Sequence, residues 1–457
     1  MERSRQVADL GTSSYDAADD PMLASLASLT PPTISSGVAG NIRPPSPLEL
    51  RKMATHFGIA FAELVPFTWM LLWWLGTPIA WVMQLVRLLL FVFVLLPFFL
   101  PPTWRYACSE TVHKGVRYGP SVRHAVDIYV PDSAAQRPLC PVVVFVSGGA
   151  WIIGYRMWGF LLGLALQRRG VLCVSVDYRN FPQSRIPEMV DDLGEACAWV
   201  KQNIAEYGGD PMNISLVGQS AGAHLSAMLL LRLLGLGGSS TAGRDESPST
   251  VTARAATNSL TNTAANHAAP PPVILRGFPR RWIGISGPYD MTRLVPALKK
   301  RGLNSDLMEH LSGGDLDACS PLHLLQKGAA DAKARADCGV DTCCIPPSTL
   351  QARWPPLALF HGTADKTVDW RHSADFAAAL KAAGAPDVVE EFFADKSHTD
   401  PILEDPLTSG HDPLLEAVLG LVFERNPRRS ESHSLQERLR FAILSPVLRL
   451  ARWVNPF

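Results

Sequence analysis

Residues 213–231 read NISLVGQSAGAHLSAMLLL, and this stretch decides how the rest of the chain is parsed. Ile214–Val217 is a short continuous apolar run, as expected of a strand buried on both faces, and Ala223–Leu234 is helix-forming and apolar. Between them stands Gly218-Gln219-Ser220-Ala221-Gly222, a G-x-S-x-G pentapeptide. In a strand-to-helix context this is a nucleophile elbow. Small flanking residues permit a tight turn that exposes the Ser220 hydroxyl at a helix N-terminus, where positive partial charge helps a developing oxyanion.

Upstream, the apolar run Pro141–Val146 leads directly into Ser147-Gly148-Gly149-Ala150-Trp151. Glycines there let backbone N–H groups approach a substrate oxygen closely, and the residue after the nucleophile, Ala221, supplies another N–H. The expected oxyanion donors are therefore Gly148, Gly149 and Ala221. Downstream, Leu357–Phe360 precedes His361-Gly362-Thr363-Ala364-Asp365, and Val388–Phe393 precedes Ser397-His398-Thr399-Asp400. Both motifs fall at the carboxyl ends of expected strands, where reacting groups collect in open α/β sheets. Ser220, Asp365 and His398 thus occur in the order nucleophile, acid, base that an α/β-hydrolase requires. Among the other polar residues, His361 is read as holding the Asp365 loop, His224 as packing or bonding within the elbow helix rather than acting as base, and Asp177-Tyr178-Arg179 as a structural ion-pairing stretch at a strand end.

The remaining strand candidates are Ala125–Val130, Val171–Asp177 and Trp282–Ser286, with helices over Pro187–Tyr207 and Ser373–Ala382. This alternation predicts an α/β fold with a mainly parallel sheet flanked by helices over residues 105–424. Two irregular tracts, about 235–272 and 327–353, are expected as flexible insertions. Residues 1–56 are rich in Ser, Ala, Pro and Thr without periodicity and are expected as a disordered arm, with no signal peptide. From Phe57 to Leu100 only Glu63 and Arg87 carry charge, about twice the apolar length of one membrane span, so a transmembrane helical hairpin is expected over 57–104, broken at Gly76–Pro78 or at Gln84–Arg87. Basic residues on both flanks favour both ends on the cytoplasmic side. Residues 425–457 end in LQERLRFAILSPVLRLARWVNPF, a basic amphipathic tail suited to an anionic membrane surface.

Composition agrees with this division. The 457 residues carry 42 Lys+Arg against 42 Asp+Glu, which argues against nucleic acid as a partner. Charged residues are 18%, and a mean hydropathy of +0.09 is high for a wholly soluble chain. Eight cysteines are too few for a disulfide scaffold, and Cys338, Cys343 and Cys344 lack the paired spacing of a zinc site, so no metal or cofactor is expected. Asn213-Ile214-Ser215 fits a glycosylation sequon but opens a buried strand and is discounted.

The blocks GGAWIIGY (148–155), DYRNFPQ (177–183), NIAEYGGDP (203–211), GQSAGAH (218–224), LFHGTAD (359–365) and KSHTDPILEDP (396–406) resemble those of plant-type isoprenylcysteine α-carbonyl methylesterases. The resemblance covers about Val130–Glu424, less the two insertions. It implies a membrane-associated α/β-hydrolase of the endoplasmic reticulum and Golgi, its catalytic domain facing the cytosol, that hydrolyses the methyl ester of prenylated protein C-termini or prenylcysteine methyl esters. By position it assigns Ser220 as nucleophile, Asp365 as orienting acid, His398 as base, and Gly148, Gly149 and Ala221 as oxyanion donors. Ser147 departs from the wider esterase pattern, where His precedes the Gly-Gly pair. Three other readings of the same motifs are a general membrane-bound carboxylesterase or lipase, an arylformamidase, and a non-catalytic hydrolase-fold scaffold.

Overall fold

The computed structural model describes residues 79–132, 134, 139–236, 275, 277–300, 305–337, 354–408, 412–424 and 450. The first described element, helix α1 (Ile79–Cys108), precedes an eight-stranded sheet. The strands in chain order are β1 (Val112–Arg117), β2 (Ala125–Tyr129), β3 (Cys140–Val146), β4 (Leu172–Val176), β5 (Gly209–Gln219), β6 (Arg281–Ile285), β7 (Leu357–Gly362) and β8 (Val388–Phe393). Their spatial order is β1-β2-β4-β3-β5-β6-β7-β8. The pairs β1–β2 and β2–β4 are antiparallel, and every pair from β4 through β8 is parallel. This is the α/β-hydrolase fold expected from the strand pattern.

Two cores explain why the central strands read as unbroken apolar runs. On β3, Val142, Val144 and Val146 face one cluster with α3 (Ile186–Asn203), α4 (Ala221–Leu233) and α8 (Arg371–Ala382). Val143 and Phe145 face the other cluster with α2 (Phe160–Arg168) and α9 (Pro413–Val422). A strand alternates its side chains between faces, so covering both faces requires apolar residues at every position. Strand β1 escaped the sequence reading because VHKGVR lies at the antiparallel edge, where His113 and Lys114 can reach solvent.

Three further helices, α5 (Met291–Lys300), α6 (Ser305–Ser312) and α7 (Pro321–Asp337), fill the connection from β6 to β7. Helix α7 corrects the expectation of an irregular insertion from residue 327. Its sequence KGAADAKARAD is rich in Ala and Lys, which lose little entropy in a helix, so the first part of that tract is ordered. Residues 338–353, including Cys338, Cys343 and Cys344, lie outside the described residues, as do 237–274, the arm 1–56, and the tail 425–457 apart from Leu450.

The hairpin expected over 57–104 lies only partly within the described residues, and there its break at Gln84–Arg87 needs correction. Residues 57–78 lie outside the described residues, and α1 runs unbroken through Gln84–Arg87 and across the expected boundary at 104. Among the described residues no helix is long and apolar enough to cross a membrane. Part of the apolar face of α1 is taken up by the hydrolase body: Phe91 and Leu95 are buried beside Leu403, and the rings of Phe99 and Tyr106 meet Phe160 of α2, tilted and edge-on, with centroids 6.1 and 6.0 Å away. The Tyr106 hydroxyl donates to Asp127 Oδ2 on β2 at 2.7 Å. Met83, Val86, Leu89, Leu90, Phe93, Leu96, Leu100 and Trp104 remain exposed.

Candidate active site

Ser220 sits between the end of β5 and the first residue of α4 at φ 54°, ψ −121°. A non-glycine residue holds such angles only where its surroundings enforce them. Here the Ser220 N–H donates to the Ile285 carbonyl of β6 at 2.8 Å, and its carbonyl accepts the His224 N–H at 3.1 Å. Gly222 is needed for a different reason: a Cβ there would collide with the Val146 carbonyl of β3. The small residues around Ser220 thus let the elbow pass against the neighbouring strand end.

The structure brings Ser220, His398 and Asp365 together from three strand ends. The Ser220 hydroxyl lies 2.9 Å from His398 Nε2, and His398 Nδ1 lies 2.6 Å from Asp365 Oδ2. All three residues are largely buried. Nδ1 donates to the carboxylate, so Nε2 is left to accept the serine proton. The His398 turn is closed by Asp400, whose Oδ2 accepts the Ser397 N–H at 2.7 Å.

Asp365 is surrounded by donors. Its Oδ1 accepts the N–H groups of Thr367 (2.7 Å) and Val368 (2.9 Å). Its Oδ2 accepts from both His398 and His361 Nε2, the latter at 3.0 Å. His361 Nε2 also lies 3.0 Å from the Val368 carbonyl, and its Nδ1 faces the Ser373 hydroxyl at 2.7 Å. Two acceptors at Nε2 fix that nitrogen as the protonated one. Burial alone would raise the Asp365 carboxyl; the His398 charge and the hydrogen bonds from His361 and His398 outweigh it and hold the group well below the usual carboxylate range.

The Ser147–Trp151 loop lies alongside. Its Ser147 hydroxyl donates to the Tyr155 carbonyl at 3.1 Å, and the Tyr178 hydroxyl donates to the Ser147 carbonyl at 3.2 Å. The Gly148 N–H donates to Gln219 Oε1 at 3.2 Å, which corrects its expected role as an oxyanion donor. Gly149, next in the loop, stands at φ 129°, and Ala221 opens α4 directly after Ser220. Gln219 does more than flank the nucleophile, a role hidden in the sequence because its side chain turns back over the loop. Its Nε2 also approaches His398 Nε2 at 3.5 Å. Behind the loop, Asp177 pairs with Arg123 and Arg156, both at 3.0 Å, and Arg156 also reaches Asp127 at 2.9 Å, so this stretch is ion-paired scaffolding.

A serine hydroxyl hydrogen-bonded to an imidazole, the imidazole in turn held by a carboxylate, is the arrangement that transfers acyl groups. The comparisons with known proteins agree in kind. A protein named "Probable isoprenylcysteine alpha-carbonyl methylesterase ICMEL1" of Oryza sativa subsp. japonica is 36% identical over 397 residues, covering 86% of this chain and 82% of that protein. The chain belongs to the isoprenylcysteine alpha-carbonyl methylesterase family. "Isoprenylcysteine alpha-carbonyl methylesterase ICME" of Arabidopsis thaliana is 32% identical, covering 85% of this chain and 80% of that one. A hydrolase family profile described as BD-FAE matches residues 126–239. A solved structure titled "Apo form of Thermogutta terrifontis esterase 2" matches with a TM-score of 0.47 at 20% identity, covering 70% of this chain and 97% of that one. As a methylesterase-family member the chain is a carboxylic ester hydrolase.

The chain also holds two buried histidines whose environment makes stability depend on pH. Burial pushes His224 down to about 4; burial, followed by the Arg293 charge, does the same to His372. An unfolded His titrates near 6.5, so between about 6.5 and 4 the unfolded chain binds more protons than the folded one. The stability these two groups contribute is fully present above about pH 6.5 and is lost as pH falls toward 4, at up to about 1.4 kcal/mol per pH unit for each. Urea unfolding midpoints are expected to fall steadily from pH 7 to 5; midpoints that stay level would contradict the neutral assignment.

Proposed function

We propose that this enzyme hydrolyses the carboxyl methyl ester of a prenylated cysteine at protein C-termini, releasing methanol and a free carboxylate. The observation that carries the chemistry is the continuous chain from the Ser220 hydroxyl through His398 to Asp365, at 2.9 and 2.6 Å. The substrate class is supported by the family to which the chain belongs. Ser220 Oγ attacks the ester carbonyl carbon while its proton passes to His398 Nε2. The carbonyl oxygen becomes an oxyanion that accepts from the Gly149 and Ala221 N–H groups. The C–O bond to methoxide breaks as His398 returns the proton, and methanol leaves an acyl-enzyme. Water then attacks the acyl carbon, giving its proton to His398, and the Ser220–acyl bond breaks to restore the hydroxyl. Asp365 keeps the imidazole in the tautomer that both halves require.

The lipid tail of such a substrate places the reaction at a membrane. A prenyl chain gains roughly 0.8 kcal/mol per buried methylene from lipid, so extracting it into water is costly. The exposed row on α1 from Met83 to Trp104 supports seating the enzyme on that surface. In this reading the enzyme lies on endoplasmic reticulum and Golgi membranes with its catalytic domain toward the cytosol. Replacing Phe93 and Leu100 together by Glu is expected to shift the protein from the floating to the soluble fraction of a microsomal gradient, with turnover of p-nitrophenyl butyrate unchanged. Unaltered flotation would remove α1 from the reading.

The substrate is tested by methanol release from farnesylcysteine methyl ester in detergent, beside a short soluble ester. A preference for the prenylated ester of at least 100-fold in kcat/KM is expected, because buried apolar area contributes about 25 cal/mol per Å². Comparable turnover of the two would leave the triad in place and make the enzyme a general carboxylesterase.

A further inference from the structure

Gly149, Ala150 and Trp151 lie in succession at φ 129°, 50° and 62°. Glycine adopts such angles freely; alanine and tryptophan do not, so the surroundings must hold the loop in place. Three contacts do so at Trp151. Its side chain is almost fully buried, its carbonyl accepts the Phe181 N–H at 2.8 Å, and its Nε1–H donates to His224 Nδ1 at 3.2 Å. The two rings meet edge to face, centroids 5.2 Å apart at 90°.

His224 is built for that contact. It stands in the first turn of α4, four residues after Ser220, and is completely buried. Its Nε2 lies 2.7 Å from the carbonyl of Cys319, in the segment joining α6 to α7. Indole Nε1 can only donate and a carbonyl can only accept, so Nδ1 is the bare nitrogen and Nε2 carries the proton. Both ends of a neutral imidazole are satisfied, and the ring fits only one way round. The imidazole therefore connects the nucleophile helix, the oxyanion loop and the α6–α7 segment.

We infer that His224 is a positioning residue that sets the oxyanion loop relative to Ser220 by holding Trp151. The inference rests on the assignment of Ser220 as nucleophile, not on the prenyl substrate. Ala221 is fixed to Ser220 by the backbone of α4. Gly149 has no such bond and is placed by the loop, which, besides the Tyr178 contact to the Ser147 carbonyl and the Phe181 contact to the Trp151 carbonyl, is tethered by Gln219 at Gly148 on one side and by His224 at the Trp151 side chain on the other. The two N–H groups act together only if both tethers hold, because oxyanion donors work at hydrogen-bond distance from the transition-state oxygen, not the ground-state one.

The test compares His224→Phe, His224→Gln and Trp151→Phe with the wild type on p-nitrophenyl butyrate, and follows labelling of Ser220 by a fluorophosphonate, whose phosphoryl oxygen uses the same donors. His224→Phe is expected to lower kcat and the labelling rate constant by the same factor, roughly 10- to 100-fold, with KM within threefold. Trp151→Phe, which keeps an aromatic ring of smaller size and removes the donor, is expected to lower both in the same direction. Gln, with one donor and one acceptor, is expected to recover part of the loss. In the His224→Phe/Trp151→Phe double variant the losses are expected to fall short of the product of the two single losses, because both changes break one contact. Folded variants with kcat and labelling within threefold of wild type would overturn the inference, as would a loss confined to KM or to melting temperature. If His224→Phe does not fold, Trp151→Phe and His224→Gln decide by the same criteria. Absence of labelling in the wild type would instead refute the Ser220 assignment, and absence of methanol release from the prenylated ester alone would refute only the substrate.

Discussion

Ser220→Ala is expected to lower kcat on every ester by roughly 10⁴- to 10⁶-fold while the protein remains folded. The size follows from what the hydroxyl does: without Oγ no acyl-enzyme forms, and what remains is the effect of bound substrate beside two N–H donors and a base. The structural cost is small. Alanine bears the φ of 54° no worse than serine does, and the backbone bonds to Ile285 and His224 do not involve the side chain. One hydrogen bond to His398 is lost, about 1 kcal/mol. The check is a purified variant assayed for methanol release and fluorophosphonate labelling beside its melting curve. Retention of a tenth of wild-type activity in a folded variant would remove Ser220 from the mechanism.

Asp365→Asn is expected to lower kcat by about 10⁴-fold and, unlike the serine change, to lower stability as well. The carboxylate accepts four hydrogen bonds, two at each oxygen. An amide has one oxygen, so its NH₂ must face either the two backbone N–H groups or the two imidazole N–H groups. In the first arrangement the Thr367–Val368 turn loses its acceptor. In the second, His398 is driven toward the tautomer with the proton on Nε2, which cannot take the serine proton. The pH dependence has a definite sign. The folded carboxyl titrates below its unfolded value, so its contribution is present above about pH 4 and is lost as pH falls through the carboxylate range. Asp365→Asn is therefore expected to be less stable at pH 7 and to lose less on acidification. A variant with wild-type stability at pH 7 and an unchanged acid limb would contradict the four-donor arrangement.

Both residues were legible in the sequence. Ser220 and Asp365 could be placed because each follows a continuous apolar run, and His398 because it follows the next strand, VVEEFF, whose apolar ends enclose Glu390 and Glu391; in a parallel sheet the ends of such strands lie along one edge. The elbow was legible for a related reason, since Gly218 and Gly222 mark positions two residues to either side of Ser220 where a Cβ would collide with backbone. Edge strand β1 was not, because half-solvated positions erase the apolar run. The face of α1 that is buried was not legible either. A helix apolar on every side offers no period to read, and only the packing of Phe91, Leu95 and Phe99 separates its inward from its outward residues.

The amino-acid sequence by itself determined the α/β-hydrolase fold and the order of the three reacting residues, because these follow from periodicity and from turn chemistry within a few positions; the family followed from the resemblance of whole sequence blocks. Tertiary structure alone decided which polar atoms meet. It gave the Gly148 N–H to Gln219, set His361 against the same carboxylate oxygen as His398, and joined His224 to Trp151 and Cys319, partners 73 and 95 residues away. A buried donor must find an acceptor somewhere, but that requirement is met in space after the sheet has closed, and no spacing along the chain records where.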